Sequence, residues 1–121
     1  MHYAKIISGQ KRGRFQDVFE THNSVANRQF IVYTLDKPGQ LHFRVGISVG
    51  KKIGNAVHRN WVKRRIRQSI SELKPDLRQD VDFIVIARPS TDQMAMKDVK
   101  SGLVHVLKLA NLLDQDYDSE E

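Results

Sequence analysis

The sequence contains no cysteine and no long apolar run, and each absence excludes a class of protein. Without cysteine, none of the 121 residues can form a disulfide or a thiolate metal site. A membrane-spanning helix needs about 18 or more consecutive apolar residues, and no stretch of the chain approaches that length. The first residues also lack the apolar segment of a secretory signal. These absences are compatible with a cytoplasmic protein, which we expect, and no membrane-spanning segment is predicted.

Side chains arranged for catalysis are also missing. None of the five histidines lies at metal-ligand spacing from another, and the acidic residues form no catalytic cluster. Gly46, Gly50 and Lys51 are similar to a phosphate-binding loop, but the glycines are too close together and no Ser or Thr follows the lysine. These glycines either bring the backbone close to a polyanion or simply form a turn. We predict no catalytic residue in this chain.

Basic residues dominate one long stretch of the sequence. Residues 37–71 include no acidic residue, whereas five of the 14 acids lie in the last eight residues. A charge run is usually a solvated face, but here local partners of opposite sign are missing, so we expect an anion to cover the patch. Nucleic acid is the favoured anion, and an anionic membrane is the alternative. The nine bases of the stretch are Lys37, Arg44, Lys51, Lys52, Arg59, Lys63, Arg64, Arg65 and Arg67.

The apolar pattern predicts a single α+β domain over residues 1–113. Residues 1–13 are polar and basic and are predicted to be a mobile arm, and residues 114–121 a disordered acidic tail. The element order is α-β-β-α-β-α, which we interpret as a sandwich with a central mixed sheet. The last two strands flank a helix and are therefore expected to be parallel. The predicted helices cover 14–21, 56–73 and 97–113, and the predicted strands 29–35, 42–49 and 82–88.

The helix predicted over residues 56–73 has two distinct sides. Asn55 is a suitable N-cap residue, and Pro75 ends the helix. At about 100° per residue, its apolar residues form one stripe that faces the core. The adjoining flank carries a ladder of hydrogen-bond donors. The stripe consists of Val62, Ile66, Ile70 and Leu73, and the flank of Asn60, Lys63, Arg64 and Arg67.

Three aromatic residues lie close to basic ones. Phe15 and Phe19 share one face of the first predicted helix, and Tyr33 lies on a predicted strand. Bases of single-stranded RNA stack on such rings. Core packing is the alternative interpretation, and for Phe19 it is the favoured one. Phe15 follows Lys11 and Arg12, so an aromatic ring and cations lie together there.

The segment from Arg44 to Arg67 closely resembles the signature of bacterial ribonuclease P proteins. Further matches over residues 15–19, 24–30 and 82–88 extend the resemblance from about residue 11 to residue 113. Trp61 stands where the family usually has arginine, and Gly50 where it usually has serine. The central segment reads Arg44-Val-Gly-Ile-Ser-Val-Gly50-Lys-Lys-Ile-Gly-Asn55-Ala-Val-His-Arg59-Asn60-Trp-Val-Lys63-Arg64-Arg65-Ile-Arg67.

The resemblance implies a function, partners and a detail of the fold. Family members assist a catalytic RNA that removes the 5′ leader from precursor tRNA. The implied partners are that RNA and precursor tRNA, with no obligate protein partner. Mg²⁺ is required by the ribonucleoprotein and held mainly by the RNA, and the protein alone binds no cofactor. The implied fold is similar to the second domain of a small-subunit ribosomal protein, with a left-handed connection between its parallel strands.

The resemblance, together with the pattern of basic residues, predicts two sets of binding residues. One set contacts the RNA subunit, and the other contacts the precursor-tRNA leader around a cleft between the first helix and the sheet. The RNA-subunit set is Lys51, Lys52, Asn55, Arg59, Asn60, Lys63, Arg64, Arg65 and Arg67. The leader set is Lys11, Arg12, Phe15, Phe19, Arg28, Ile31, Tyr33 and Arg44.

Composition leaves other functions open. A nuclease that acts without RNA would need a cluster of carboxylates or histidines, which the sequence lacks. A ribosomal protein would share the composition and would differ in the RNA that copurifies with it. A DNA-binding helix-turn-helix is disfavoured because the basic helix follows a strand and a loop rather than a partner helix.

Overall fold

A computed structural model describes the backbone of residues 5–8 and the whole of residues 16–117. These residues form a mixed sheet of five strands in the order β1-β4-β5-β3-β2, together with three α-helices. The strands are β1 Lys5–Ser8, β2 Ser24–Ala26, β3 Phe30–Asp36, β4 Arg44–Val49 and β5 Val81–Ala87. The helices are α1 Gln16–Glu20, α2 Ala56–Leu73 and α3 Met96–Leu109.

The centre of the sheet confirms the predicted mixed topology. β4 and β5 are parallel and are connected through α2, while β3 pairs with the other edge of β5 in the antiparallel direction. β5 thus occupies an inner position, which explains why its residues are apolar on both faces. The left-handed sense of the connection stays a prediction.

One face of the sheet is covered by α2 and α3 and holds the main core. The predicted stripe on α2 is confirmed, since Val62, Ile66, Ile70 and Leu73 are all fully buried. Phe43 and Phe83 pack on the strand side with ring centroids 5.4 Å apart. Burial of a side chain of this size stabilises the fold by about 1.5–3 kcal/mol. The core therefore fixes which side of α2 faces solvent.

The opposite face of the sheet is covered by the short helix α1 only in part. Val18 of α1 is buried against Ile84 of β5. Phe19, Tyr33 and Ile86 pack around this pair and remain half-buried. An apolar surface with an open side is therefore left between α1 and the sheet.

The predicted mobile arm is wrong for residues 5–8. These residues form β1, which pairs in parallel with β4 from Lys5↔Arg44 to Ser8↔Ile47. Ile6 and Ile7 are β-branched and favour a strand, and pairing covers an edge of β4 that would otherwise stay open. The other residues of the predicted arm lie outside the described residues. The short strand β2 was also missed, because three residues are too few for a periodic signal.

The end of the chain is more ordered than predicted. α3 stops at Leu109 rather than at residue 113, because Asn111 adopts a left-handed conformation with φ 61°. The amide of Leu112 then donates to the carbonyl of Leu107 at 3.0 Å, which caps the helix. Residues 114–117 are not disordered: Tyr117 packs against the core, and its carbonyl accepts from Nζ of Lys108 at 2.6 Å. Residues 118–121 lie outside the described residues.

Candidate nucleic-acid interface

The loop before α2 positions two exposed lysines. Lys51 and Lys52 lie on a 3₁₀ turn whose third residue, Ile53, is buried and anchors the loop. Gly54 follows with φ 147°, and a Cβ at this position would lie 3.1 Å from Cβ of His58. Glycine is therefore required there both by the backbone conformation and by the close approach of the helix.

The start of α2 is fixed by its N-cap. Oδ1 of Asn55 accepts from the backbone amide of His58 at 3.1 Å, as the sequence predicted. This bond satisfies one of the amides that a helix leaves unpaired at its first turn. Asn55 thereby orients the first turn of the helix that carries the basic side chains.

The predicted donor ladder on α2 lines one surface groove. This basic groove has a volume of about 440 Å³. No acidic residue lines it, so cations one turn apart on the helix raise the local positive potential together. The groove is suited to an extended anion such as a nucleic-acid backbone. Its lining residues are Val57, Asn60, Lys63, Arg64 and Arg67.

Arg59 and Arg65 lie outside the basic groove, on the flanks of α2. Both are half-buried, and among the described residues neither Nε atom has a hydrogen-bond partner. The guanidinium of Arg65 lies 3.4 Å from the centroid of the Trp61 ring. Trp61 also packs against the main core. The indole thus acts as a packing anchor that holds Arg65 by a cation–π contact.

Two bases of the acid-free stretch have distant partners, so the expectation of uncompensated charge is wrong for them. Nε of Arg44 donates to Oδ1 of Asp82 at 3.0 Å, and a second guanidinium nitrogen reaches Oδ2. Asp82 is fully buried, and its hydrogen bonds raise the pKa of Arg44 above the ordinary value. Nζ of Lys37 lies 3.3 Å from Oδ2 of Asp17. Sequence separation hid these pairs, because each acid lies outside the stretch.

The structure brings together three residues predicted to form the leader cleft. The rings of Phe19 and Tyr33 meet edge to face, with centroids 5.1 Å apart. Ile31 and Tyr33 lie two residues apart on β3, so their side chains are on the same face of the sheet. They pair with Ile86 and Ile84 of β5, respectively. We call the surface of Phe19, Ile31, Tyr33, Ile84 and Ile86 the aromatic cleft.

The other residues predicted to bind the leader are not part of the aromatic cleft or lie outside the described residues. Arg44 lies on β4 and is tied to Asp82, which is on the same strand as Ile84. Arg28 is exposed in the connection between β2 and β3. Lys11, Arg12 and Phe15 lie outside the described residues.

Sequence reasoning missed a pocket beside the basic groove. Its volume is about 360 Å³. Nδ1 of His58 lies 2.8 Å from Oδ1 of Asp92, which belongs to the connection after β5. The sequence indicated only that Val57 and His58 lie about one helical turn before Trp61 on α2, and it gave no sign of the contact between His58 and Asp92. We call this site the tryptophan pocket, lined by Val57, His58, Trp61, Asp92 and Gln93.

The described residues hold neither a metal-ligand cluster nor a membrane-spanning helix. Within residues 5–8 and 16–117, no three His, Asp or Glu side chains come together as metal ligands. In the same part of the chain, no helix has both the length and the apolar character needed to cross a bilayer.

Comparison with known proteins gives concordant matches. The family model described as Ribonuclease P matches residues 9–111. A Levilactobacillus brevis protein named ribonuclease P protein component is 73% identical over 111 residues, which cover 92% of this chain and 94% of the relative. The solved structure of the Staphylococcus aureus RNase P protein has 41% identity and a TM-score of 0.79, covering 94% of this chain and 100% of that one. The RNase P protein of Thermotoga maritima has 28% identity and a TM-score of 0.73, covering 81% and 92%.

Proposed function

The chain belongs to the ribonuclease P protein family, and from this membership we propose that it is the RNA-binding protein subunit of a ribonuclease P ribonucleoprotein. In this function it assists a catalytic RNA, which cuts precursor tRNA endonucleolytically to remove the 5′ leader and leave the mature 5′ end. The names of the relatives support the role in the enzyme. The two surfaces described above support the way in which the chain contributes to it.

The main structural support for this proposal is the basic groove of α2. Its donors face solvent along one flank of a helix whose other side is locked in the core. Phosphates placed in the groove would release bound counterions, a sequence-independent source of affinity. Structured RNA is recognised mainly by shape and backbone contacts, which such a ladder can supply. We therefore assign the groove, together with Lys51 and Lys52 on the loop before α2, to the RNA subunit.

The aromatic cleft is assigned to the leader of precursor tRNA. A leader is single-stranded, so its bases are free to stack on exposed rings. Phe19 and Tyr33 offer such rings on the face of the sheet that α1 leaves partly open. The cleft itself is lined by apolar side chains, and nearby Arg44 is already paired with Asp82. We therefore expect apolar and stacking contacts rather than ion pairing to dominate there.

Metal chemistry is assigned to the RNA in this proposal. Mg²⁺ is held mainly by the RNA subunit, and the protein supplies positive charge that lowers the concentration of divalent ion required. In the described residues no metal-ligand cluster offers an alternative holder of the ion. We further propose that the chain acts in the cytoplasm without an obligate protein partner.

Reconstitution tests the proposed function. Purified protein is combined with a bacterial ribonuclease P RNA at a Mg²⁺ concentration too low for the RNA alone, and leader removal from precursor tRNA is scored. We expect cleavage at the mature 5′ end only when both components are present. Cleavage by the protein alone would identify a self-sufficient nuclease. Absence of stimulation by the protein would contradict the proposal and favour a structural RNA-binding role.

A further inference from the structure

The tryptophan pocket lies next to the basic groove, and Val57 separates the two. Val57 is 74% exposed and lines both of them. An RNA strand whose phosphates occupy the groove would therefore pass directly beside the pocket. A single nucleotide that leaves the strand has only one helix residue to cross before it reaches Trp61.

The indole of Trp61 is held in place before any ligand arrives. Arg65 covers the ring from one turn later in α2, with its guanidinium carbon 3.4 Å from the ring centroid. Val57 and His58 flank the ring from one turn earlier and line the pocket. The ring also packs against the core. Arg65 occupies one face of the ring, so a base would stack on the part of the ring that lines the pocket, with little loss of conformational freedom.

The polar side of the pocket is equally constrained. His58 is confined between Gly54, whose missing Cβ leaves room for it, and Asp92 at 2.8 Å. Gln93 adopts a left-handed conformation with φ 66°, which residues other than glycine rarely take. Strained backbone of this kind is concentrated at ligand-binding sites. His58 and Asp92 are thus held in defined positions by the surrounding fold.

The charges of the pocket select against phosphate. Asp92 carries a carboxylate, which repels an anion but accepts hydrogen bonds from N–H donors. A nucleobase is uncharged and flat, and guanine presents two adjacent donors, N1–H and the 2-amino group. Two parallel N–H···O bonds to a carboxylate give both strength and specificity. Oδ1 of Asp92 keeps accepting capacity beside its contact with His58, because an ionised carboxylate has about four lone-pair sites.

We propose that the tryptophan pocket binds one unpaired guanine of an RNA whose backbone lies in the basic groove. Trp61 stacks on the base, and Asp92 accepts from its N1–H and 2-amino groups. The proposal rests on the proposed function, since the groove must hold RNA. It gives Trp61, which departs from the family signature, a part in base recognition.

Two hairpin RNAs that differ by one bulged guanosine test this proposal. Both offer the same duplex phosphates, so both should bind the basic groove. We expect the bulged hairpin to bind about 10-fold more tightly, the value typical of one stacked base. It should also quench the emission of Trp61, the only tryptophan of the chain. Equal affinity and equal emission with both hairpins would overturn the pocket proposal, whereas failure of both to bind would contradict the proposed function itself.

Matched variants locate the effect within the pocket. Asp92→Asn keeps the shape of the side chain but removes one acceptor, and it should abolish most of the advantage of the bulged hairpin. Asp98→Asn removes the same charge from an exposed position on α3 and should leave the advantage intact. Trp61→Phe, read by labelled RNA, should reduce the advantage while thermal unfolding confirms that the protein is folded. A full advantage in Asp92→Asn, or a bulged uridine that binds as well as guanosine, would overturn the assignment.

Discussion

The basic groove and the aromatic cleft differ in how the chain builds them. The groove is formed by one helix, and its donors recur at intervals of three or four residues from Asn60 to Arg67. The cleft combines α1, β3 and β5, so its members are separated by up to about half of the chain. The groove is polar and cationic, while the cleft is apolar, and Arg44 near it is paired with Asp82.

This difference separates two tasks. Cations in a groove attract any RNA backbone and give an affinity that falls as salt rises. Rings in a partly open cleft select single-stranded segments by stacking on the bases, a contribution that does not come from counterion release. We therefore infer that the groove supplies most of the affinity for the RNA subunit and that the cleft distinguishes substrates with a leader from those without one.

The core below the groove and the aromatic cleft should differ most in what they contribute to stability. Ile66→Ala leaves a cavity in the core below the groove and should lower the free energy of unfolding by about 2–5 kcal/mol. Ile31→Ala removes the same side chain from the half-buried cleft and should cost clearly less, because water already reaches that surface. Urea unfolding of both variants measures the difference. Equal losses would mean that the cleft is as tightly packed as the core.

The groove could be predicted from the sequence because its determinants are local. Helical periodicity, the N-cap Asn55 and the absence of acids all lie within one segment, and the structure confirms each of them. The positions of Val62 and Ile66 in the core follow from the same periodicity. Local rules therefore sufficed to orient α2 and its donors.

Contacts between distant segments could not be predicted from local sequence patterns. Asp82 neutralises Arg44 and Asp92 meets His58, yet each pair is separated by more than thirty residues. Nothing in the spacing of these residues indicates a contact. The early end of α3 at Asn111 was missed for another reason: a single left-handed residue interrupts an apolar pattern that continues in Leu112 and Leu113.

The second prediction sharpens the assignment of the cleft. Tyr33→Ala removes a stacking surface, and stacking contributes about 1–3 kcal/mol per base. The variant should therefore weaken binding of precursor tRNA by the reconstituted enzyme and leave binding of mature tRNA unchanged. Tyr33→Phe keeps the ring and serves as the control. Affinities for both tRNAs at several salt concentrations give the answer. An equal loss for precursor and mature tRNA would remove Tyr33 from the leader site.

The third prediction concerns the start of the basic helix. Asn55→Ala removes the side chain that accepts from the amide of His58 and should destabilise the protein by about 1 kcal/mol. Asn55→Asp retains an accepting oxygen and should be close to the natural protein in stability. Thermal unfolding of the three proteins provides the measurement. Asn55→Ala with unchanged stability would show that the cap does not support the groove.

The smallest expected effect is a dependence of stability on pH. The hydrogen bond from Lys100, 3.0 Å from Glu72, lowers the pKa of this carboxyl, which ties α2 to α3. The stabilisation is present above the pKa of the unfolded chain, about 4.3, and is lost as pH falls through the lowered pKa of the folded state. For so exposed a pair it should stay below about 1 kcal/mol.

Glu72→Gln isolates this contribution. The variant should lose less stability than the natural protein when urea unfolding is compared between about pH 6 and about pH 3, below the carboxyl range. Identical losses in the two proteins would show that this pair does not couple the two helices.

Binding of a bacterial ribonuclease P RNA as a function of salt tests directly whether the basic groove holds the RNA subunit. Arg64→Ala removes one cation from the basic groove, whereas Lys97→Ala removes one from an exposed position of α3 outside it. We predict that Arg64→Ala weakens binding and reduces the slope of log K against log salt by about 1, the value for one lost phosphate contact. Lys97→Ala should leave both quantities unchanged. An unchanged slope and affinity for Arg64→Ala would contradict the claim that the groove holds the RNA subunit.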